Sequence, residues 1–373
     1  MIRVALVVGN MSSGGKKNLI MEYYRHIDRQ KVQFDFICDT SSQDIPYSEI
    51  ESSGGKVHLT APCWNVPRYI RQVYNICAEN KYPVIHAYMN TLNPFSLYAA
   101  KKAGVPVRIS ESISMAHKGE FKTVIKKILR PMSRYFATHY MACGEDCGRF
   151  QFGDELFDSG KVAVFKTAIN SSFNAFKPEL REKTRLEFGW QDKIVIGFIA
   201  RFVPQKNPLF MLEIFAETVK LEPRAVLCII GFGKMHDQIM RKIDELGIKE
   251  HVNYLGKRED IQQFYNAMDC FLLPSLYEGL PDVGLEAESC GLPVFFSTEI
   301  TREASACELG HFLSLNDPPS VWARDILMSV RENMPYRRSR ALDVEAAGYD
   351  SRSEALRLQQ YYFDALRDEG ITP

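Results

Sequence analysis

Short apolar runs followed by glycine-containing or polar loops recur along the chain, and most are separated by stretches whose apolar positions repeat at helical spacing. In the first half the runs are Val4–Val8, Phe34–Cys38, Val57–Leu59, Val84–His86, Val107–Ser110, Tyr140–Cys143 and Val162–Phe165. Leu19, Ile20, Tyr23 and Tyr24 mark the first helix. A second series holds Ile194–Ala200, Val226–Ile230, Val252–Leu255, Phe271–Leu273 and a strand from Val294. Strands that are apolar on both faces and alternate with helices predict α/β architecture with doubly wound parallel sheets.

Between about Lys166 and Trp190 the pattern turns polar, with Asn170, Ser171, Ser172 and Asn174, and then a charged helix from Pro178. This stretch reads as a linker. It divides the chain into domains over 1–170 and 171–351. A cap at Asp350 or Ser351 then precedes a last helix, over 352–373, that carries Ala355, Leu356, Leu358, Tyr362 and Leu366.

The 373 residues suffice for two cores. Forty-six basic residues balance 46 acidic ones, so no excess of charge points to nucleic acid. The N-terminal run is too short for a signal-peptide core and no run approaches a membrane span. The nine cysteines include no C-x-x-C pair, and Cys38, Cys228 and Cys270 lie inside apolar strands. They read as reduced core residues of a cytoplasmic protein. Cys143 and Cys147 lack the histidines of a zinc site, so no metal is expected there.

Candidate chemistry concentrates between Phe271 and Ser297, a strand, loop, helix and strand. The helix is expected to begin near Pro281 and stop at Gly291. The amides of Gly279 and Leu280 then stand at a helix N-terminus, which suits a phosphate. Glu278 just before the helix and Glu286 inside it are placed to accept hydrogen bonds from hydroxyl pairs of a ribose or hexose. A capping glutamate beside a solvated one is the plain alternative.

Other strand ends add candidates. Arg201 follows Ala200, and Lys206 comes five residues later at a helix entrance, a cationic pair that also fits a surface role. Gly231-Phe232-Gly233 and Gly256-Lys257-Arg258 follow two further strands. In the first half the loop Gly9–Gly15, with Gly14 and Gly15, lets a ligand approach the backbone, or simply turns sharply. It is neither G-x-G-x-x-G nor a Walker-type phosphate loop, which argues against a nicotinamide dehydrogenase. His86, Tyr88 and Asn90 end one strand, and Glu111 and Ser112 another. His86 and Glu111 are the candidate catalytic residues, although His86 equally fits a core position.

Glu278 and Glu286, with seven residues between them and Gly279-Leu280-Pro281 after the first, resemble the E-x7-E signature of retaining glycosyltransferase family 4. The stretches from Cys143 to Gly153, from Ser275 to Pro281 and the segment ending at Ala323 resemble bacterial exopolysaccharide and capsule glycosyltransferases. The resemblance implies a GT-B fold, two Rossmann-like domains facing a central cleft, with the last helix crossing back to the first domain. It implies transfer of a sugar from a nucleotide-diphosphate sugar to a polysaccharide precursor or lipid-linked acceptor, with retention. By resemblance Arg201 and Lys206 hold the diphosphate, Glu278 the donor sugar and Glu286 the ribose. Gly14 and Gly15 match the glycine pair of the family's first loop, and Arg258 lies where relatives hold the base. No Asp-x-Asp pair occurs, so the reaction is expected to need no metal and no cofactor beyond the donor.

The sequence departs from those relatives where they place a histidine, after the strand ending near Ser110. Glu111 and Ser112 stand there, and His117 follows in a polar, lysine-flanked segment. A non-catalytic nucleotide-sugar-binding relative and an epimerase of the same fold are therefore rival readings. From Lys118 to Arg134 a basic amphipathic helix either packs its apolar stripe on the sheet or lies on an anionic membrane, which would place the protein peripherally on the inner face of the cell membrane.

Overall fold

The computed structural model describes residues 1–12, 15–113 and 129–373. Gly14, His117 and the lysines from Lys118 to Lys127 lie outside the described residues. The chain divides into two compact units, Met1–Ala168 with Ser351–Pro373, and Ile169–Asp350.

The first unit is built on a seven-stranded parallel sheet ordered β3-β2-β1-β4-β5-β6-β7. The strands are β1 (Ile2–Gly9), β2 (Val32–Asp39), β3 (Val57–Thr60), β4 (Val84–Ala87), β5 (Val107–Ser112), β6 (His139–Ala142) and β7 (Val162–Val164). Side chains of β1 alternate between two cores, Val4, Leu6 and Val8 on one face and Ala5 and Val7 on the other. Burial on both faces is why these runs are apolar without a polar alternation.

The helix Ser351–Asp368 belongs to this unit and completes one of those cores with Ala355, Leu358, Tyr362, Ala365 and Leu366. Leu356 points the other way and is 55% exposed. Burying a large apolar side chain contributes about 1.5–3 kcal/mol, so this helix is part of the first unit's stability.

The second unit carries a six-stranded parallel sheet ordered β10-β9-β8-β11-β12-β13. Its strands are β8 (Ile194–Ile199), β9 (Ala225–Ile230), β10 (Val252–Tyr254), β11 (Cys270–Leu273), β12 (Val294–Ser297) and β13 (Gly310–Leu313). Ile196, Phe198, Leu227 and Leu272 face one core, and Val195, Cys228, Phe271 and Leu273 the other.

The polar stretch that reads as a linker is held down instead of hanging free. Ser171 and Asn174 are buried. Ser171 Oγ donates to Asp350 at 2.8 Å, and Ser289 Oγ donates to the Ser171 carbonyl at 2.9 Å. The charged helix Pro178–Phe188 is anchored by Arg181 and Arg185 on Asp269, whose carboxylate also accepts the Val195 amide at 2.7 Å. These two arginines therefore face a protein partner while Glu179, Glu182, Lys183 and Glu187 stay exposed, and replacing Asp269 with alanine would leave the buried Arg185 without its carboxylate. Asp269→Ala is expected to lower unfolding stability by about 3–5 kcal/mol in a urea titration. A change below 1 kcal/mol would show the cluster to be dispensable.

Candidate functional site

In the second unit the strand order reverses between β8 and β11, and an open parallel sheet binds ligands beyond the carboxyl ends of the strands at such a reversal. The two loops leaving that point are 200–207 and 274–281, and the sequence candidates Arg201, Lys206, Glu278, Gly279 and Leu280 all lie on them. The loops are joined directly. The Leu276 amide donates to the Gln205 carbonyl at 2.8 Å, and Gln205 Nε2 donates to the Tyr277 carbonyl at 3.0 Å and to Glu278 Oε2 at 3.1 Å. Lys206 Nζ pairs with Glu278 Oε1.

This pairing follows from the local fold. Pro204 opens a short 3-10 turn, Pro204–Lys206, and Asn207 then adopts a left-handed conformation at φ 50° before the helix Pro208–Leu221. That turn carries Gln205 and Lys206 to the neighbouring loop. Lys206 is 14% and Glu278 7% exposed, so each largely satisfies the other's charge. Arg201 differs, since it is exposed and its side chain has no hydrogen-bond or ion-pair partner among the described residues.

The helix after β11 spans Asp282–Ser289, with Pro281 just before it. Ahead of it, the amides of Gly279 and Leu280 donate to no group among the described residues. A Cβ built at Gly279 would meet nothing within 4 Å, so space is open in front of them. Asp282, which the sequence reading passed over, opens the helix. Burial pushes its carboxyl up to about 6, Glu278 adds to the rise, and Lys206 opposes it. Its side chain still keeps a partly exposed edge.

A carboxyl whose folded-state pKa lies above its unfolded value stabilises the fold below the unfolded value and loses that contribution as pH rises through the folded one. Stability from Asp282 is therefore lost between about pH 4 and pH 6. Urea midpoints for the parent chain and Asp282→Asn are expected to differ in their pH dependence across that window, with the variant flatter. Parallel curves would remove Asp282 as the cause.

Glu286 lies one turn further in, half-buried, and its Oε2 accepts from the buried Tyr265 hydroxyl at 2.8 Å. That bond fixes the carboxylate's direction. Glu288, two residues on, is fully buried and accepts from Ser305 Oγ at 2.6 Å and from the Ala306 and Cys307 amides at 2.6 and 3.0 Å, a structural use of the same residue type.

The glycines after β9 serve the fold itself. Gly231 and Gly233 have φ of +147° and +152°, and a Cβ on them would lie 1.9 Å from the Ala200 carbonyl oxygen and 2.6 Å from that of Phe202. They bring this loop against the one that carries Arg201. Phe232 between them is 44% exposed, with Lys257 Nζ 5.8 Å from its ring centre. Arg258 is engaged by Asp260 at 2.8 and 2.5 Å and packs over the Phe264 ring.

In the first unit the strand order reverses between β1 and β4. Gly15 begins the helix Gly15–His26 and is exposed. Lys16 Nζ donates to the Val8 carbonyl at 2.6 Å, and burial lowers its pKa. Asn90 Oδ1 accepts the Ile113 amide at 2.8 Å, and Tyr88 is 1% exposed. His86 and Glu111 are brought together, but inside the core, at 0% and 1% exposure. His86 Nε2 and Glu111 Oε2 approach to 2.8 Å without hydrogen-bond alignment, and His86 Nδ1 is 2.8 Å from the Tyr362 hydroxyl. With no surface of their own, both residues here tie β4 and β5 to the last helix.

Cys143 and Cys147 are buried free thiols with their sulfurs 3.4 Å apart. Among the described residues no group of three or more His, Cys, Asp or Glu is placed to hold a metal ion, and no helix is long and apolar enough to cross a membrane.

Residues 181–305 match the family model described as glycosyl transferases group 1. Over 368 residues the chain is 32% identical to the putative glycosyltransferase EpsF of Bacillus subtilis, covering 96% of each protein. It is 24% identical over 297 residues to a UDP-Gal:alpha-D-GlcNAc-diphosphoundecaprenol alpha-1,3-galactosyltransferase of Escherichia coli, covering 76% of each. Among solved structures, Anabaena Alr3699/HepE in complex with UDP-glucose superimposes with a TM-score of 0.80 at 16% identity, covering 97% of this chain and 99% of that one. With its two parallel α/β sheets the chain has the GT-B fold.

Proposed function

The chain belongs to the group 1 glycosyltransferases, and from that premise we propose that it transfers a sugar, with retention and without a metal ion, from a nucleotide-diphosphate sugar to a polysaccharide precursor or lipid-linked saccharide in exopolysaccharide or capsule synthesis. The observation that carries the reading is the junction at the β8/β11 reversal. There the Lys206–Glu278 pair and two undonated amides share the strand-end region with an unpaired arginine. The galactosyl transfer to a diphosphoundecaprenol-linked sugar for which the Escherichia coli relative is named, and the UDP-glucose bound by Anabaena HepE, support a sugar-nucleotide donor and a lipid-linked acceptor. Peripheral attachment through Lys118–Arg134 is part of the proposal. Of that segment's described part, Arg130 packs over Phe150.

Departure of a nucleoside diphosphate leaves negative charge on a phosphate oxygen. Arg201, Lys206 and the Gly279 and Leu280 amides would stabilise it, as preorganised donors do where water is excluded. Glu278, released from Lys206 as the phosphate takes the ammonium, would accept hydrogen bonds from the donor sugar. Glu286, aimed by Tyr265, would hold the ribose. Gly15, with Gly14, is proposed to approach donor or acceptor, and Arg258 to border the base while tied to Asp260. His86 and Glu111 enter as positioning residues, since their burial leaves them no surface to offer a substrate.

Arg201→Ala tests the phosphate role. Calorimetry in excess EDTA is expected to show affinity for a nucleoside diphosphate falling about tenfold to a hundredfold, the worth of one charged hydrogen bond, and affinity for the nucleoside falling less than twofold. Equal losses for both ligands would remove Arg201 from the diphosphate site.

A further inference from the structure

Cys143 and Cys147 flank the turn at the carboxyl end of β6, where the strand gives way to the helix Glu145–Phe152. Both thiols are free and buried, at 6% and 5% exposure, and Cys143 Sγ donates to Cys147 Sγ at 3.4 Å. A core cysteine ordinarily serves as a small apolar filler. Here the surroundings hold two sulfurs against each other. The Gly148 amide donates to the Gly144 carbonyl at 3.0 Å across the turn. A Cβ on Gly148 would lie 2.7 Å from the Phe157 ring and 3.2 Å from the Ala142 side chain, so the start of the helix is pressed onto the strand end. The Cys143 amide donates to the Ser112 carbonyl at 2.9 Å, and Ser112 Oγ donates to the Cys147 carbonyl at 3.0 Å. The backbone of both cysteines is thereby tied to the last residue of β5.

We infer that Cys143 and Cys147 form a redox-active dithiol, which a small hydroperoxide converts reversibly into an intramolecular disulfide. Closure needs the sulfurs to pass from 3.4 Å to about 2.0 Å, a motion of the two side chains. Cys147 is the attacking sulfur. It accepts the Cys143 hydrogen bond and lies in a first helical turn, whose free amides favour a thiolate, while the carboxylates of that turn, Glu145 and Asp146, stand in water. Its sulfur takes one peroxide oxygen, the O–O bond breaks, and the other oxygen leaves with the Cys147 proton as water or an alcohol. The Cys143 sulfur then attacks the resulting sulfenic sulfur, the S–O bond breaks, and water leaves with the Cys143 proton. The two sulfurs lose two electrons and the peroxide gains them. Its hydrogen bond to Cys147 and its burial hold the Cys143 thiol well above its ordinary range, so it keeps its proton until that second step. A dithiol reductant restores both thiols by exchange.

One consequence reaches the edge of the sheet. Because the Cys147 carbonyl holds Ser112 Oγ, closing the bond is felt at the carboxyl end of β5, the side on which open parallel sheets bind ligands. On the proposed function, and resting on it, the oxidised chain is expected to transfer sugar about tenfold more slowly, with affinity for a nucleoside diphosphate changed less than about twofold, since that site lies in the second unit.

Both cysteines fall on one tryptic peptide, the stretch that follows Arg134 and ends at Arg149, and no other cysteine shares it. The full chain is treated with hydrogen peroxide, denatured, alkylated without reduction and mapped by mass. That peptide is expected to lose two hydrogens and to escape alkylation, and dithiothreitol is expected to restore it. In Cys143→Ala a cyclic diketone that traps sulfenic acids should label Cys147, and in Cys147→Ala the label on this peptide should be about tenfold weaker. The map of the parent chain decides the dithiol without any substitution.

A peptide unchanged by peroxide, with oxidation confined to the partly exposed Cys63 or to another cysteine, would overturn the inference. So would bonds that join two molecules in place of one internal link. Equal labelling of the two variants would overturn the assignment of Cys147 as the attacking sulfur, and undiminished transfer by the linked chain would overturn the coupling to β5. A reduced chain that releases no nucleoside diphosphate from any sugar nucleotide would count against the sugar-transfer reading, while the peptide map still decides the dithiol.

Discussion

Replacing Lys206 with alanine is expected to lower sugar transfer by a factor of about a hundred to a thousand, the range seen when one preorganised donor is removed from a developing oxyanion. Two effects combine. The departing diphosphate loses a cation, and Glu278, 7% exposed and paired with Lys206, keeps Gln205 as its one side-chain partner among the described residues. The second effect disturbs the group proposed to orient the sugar, since a largely buried carboxylate loses its cation. Lys206→Arg should recover part of the activity, since charge returns but a planar fork replaces a compact ammonium. The readout is nucleoside diphosphate released from whichever sugar nucleotide raises the melting temperature of the parent chain. Activity within threefold of the parent for Lys206→Ala would exclude the lysine from the reaction and leave the Glu278 pair a structural link.

His86→Ala is expected to cost about 3–5 kcal/mol of stability, because it leaves Glu111 in the core with neither its partner nor water. Tyr362→Phe should cost less, about 1–3 kcal/mol, the penalty for one unsatisfied buried donor or acceptor at His86 Nδ1. The decisive variant replaces both side chains at once. A buried polar pair exchanged for apolar side chains of similar shape can be nearly neutral in stability, so His86→Leu with Glu111→Leu should fold far better than either single change. If that folded double variant also keeps sugar transfer within a few fold, the pair positions β4, β5 and the last helix and takes no part in chemistry. If it is stable and inactive, the pair is coupled to the reaction, and the purely structural assignment falls.

What the sequence displays and what it hides can be separated residue by residue. Ile194–Ile199 and Val226–Ile230 are legible as strands because burial on both faces demands an unbroken apolar run, and such runs are too short to cross a membrane as helices. β13, Gly310–Leu313, escaped notice because its residues are half-buried at the sheet edge and mix glycine and histidine with apolar side chains. Glycine at 231 and 233 signals close approach, but the approaching group is the backbone at Ala200 and Phe202, which no local pattern names.

Partnerships across long stretches of chain are hidden for the same reason. Lys206 and Glu278 each carry a local signal of charge at a strand end, yet their pairing depends on which strands the sheet places side by side. His86 looks like a strand-end candidate until Tyr362, 276 residues away, closes over it. Ser171 and Asn174 read as linker because polarity is visible in sequence, and Asp350 and Ser289, which draw that segment into the second unit, are not adjacent to it.

The most direct test is a crystal structure of the full chain with a bound nucleoside diphosphate, grown in excess EDTA. The account predicts both phosphates in the second unit at the β8/β11 reversal, with the Arg201 guanidinium, the Lys206 ammonium and the Gly279 and Leu280 amides within about 3 Å of phosphate oxygens. Phosphates bound elsewhere on the sheet, or density there only when a divalent cation is restored, would contradict it.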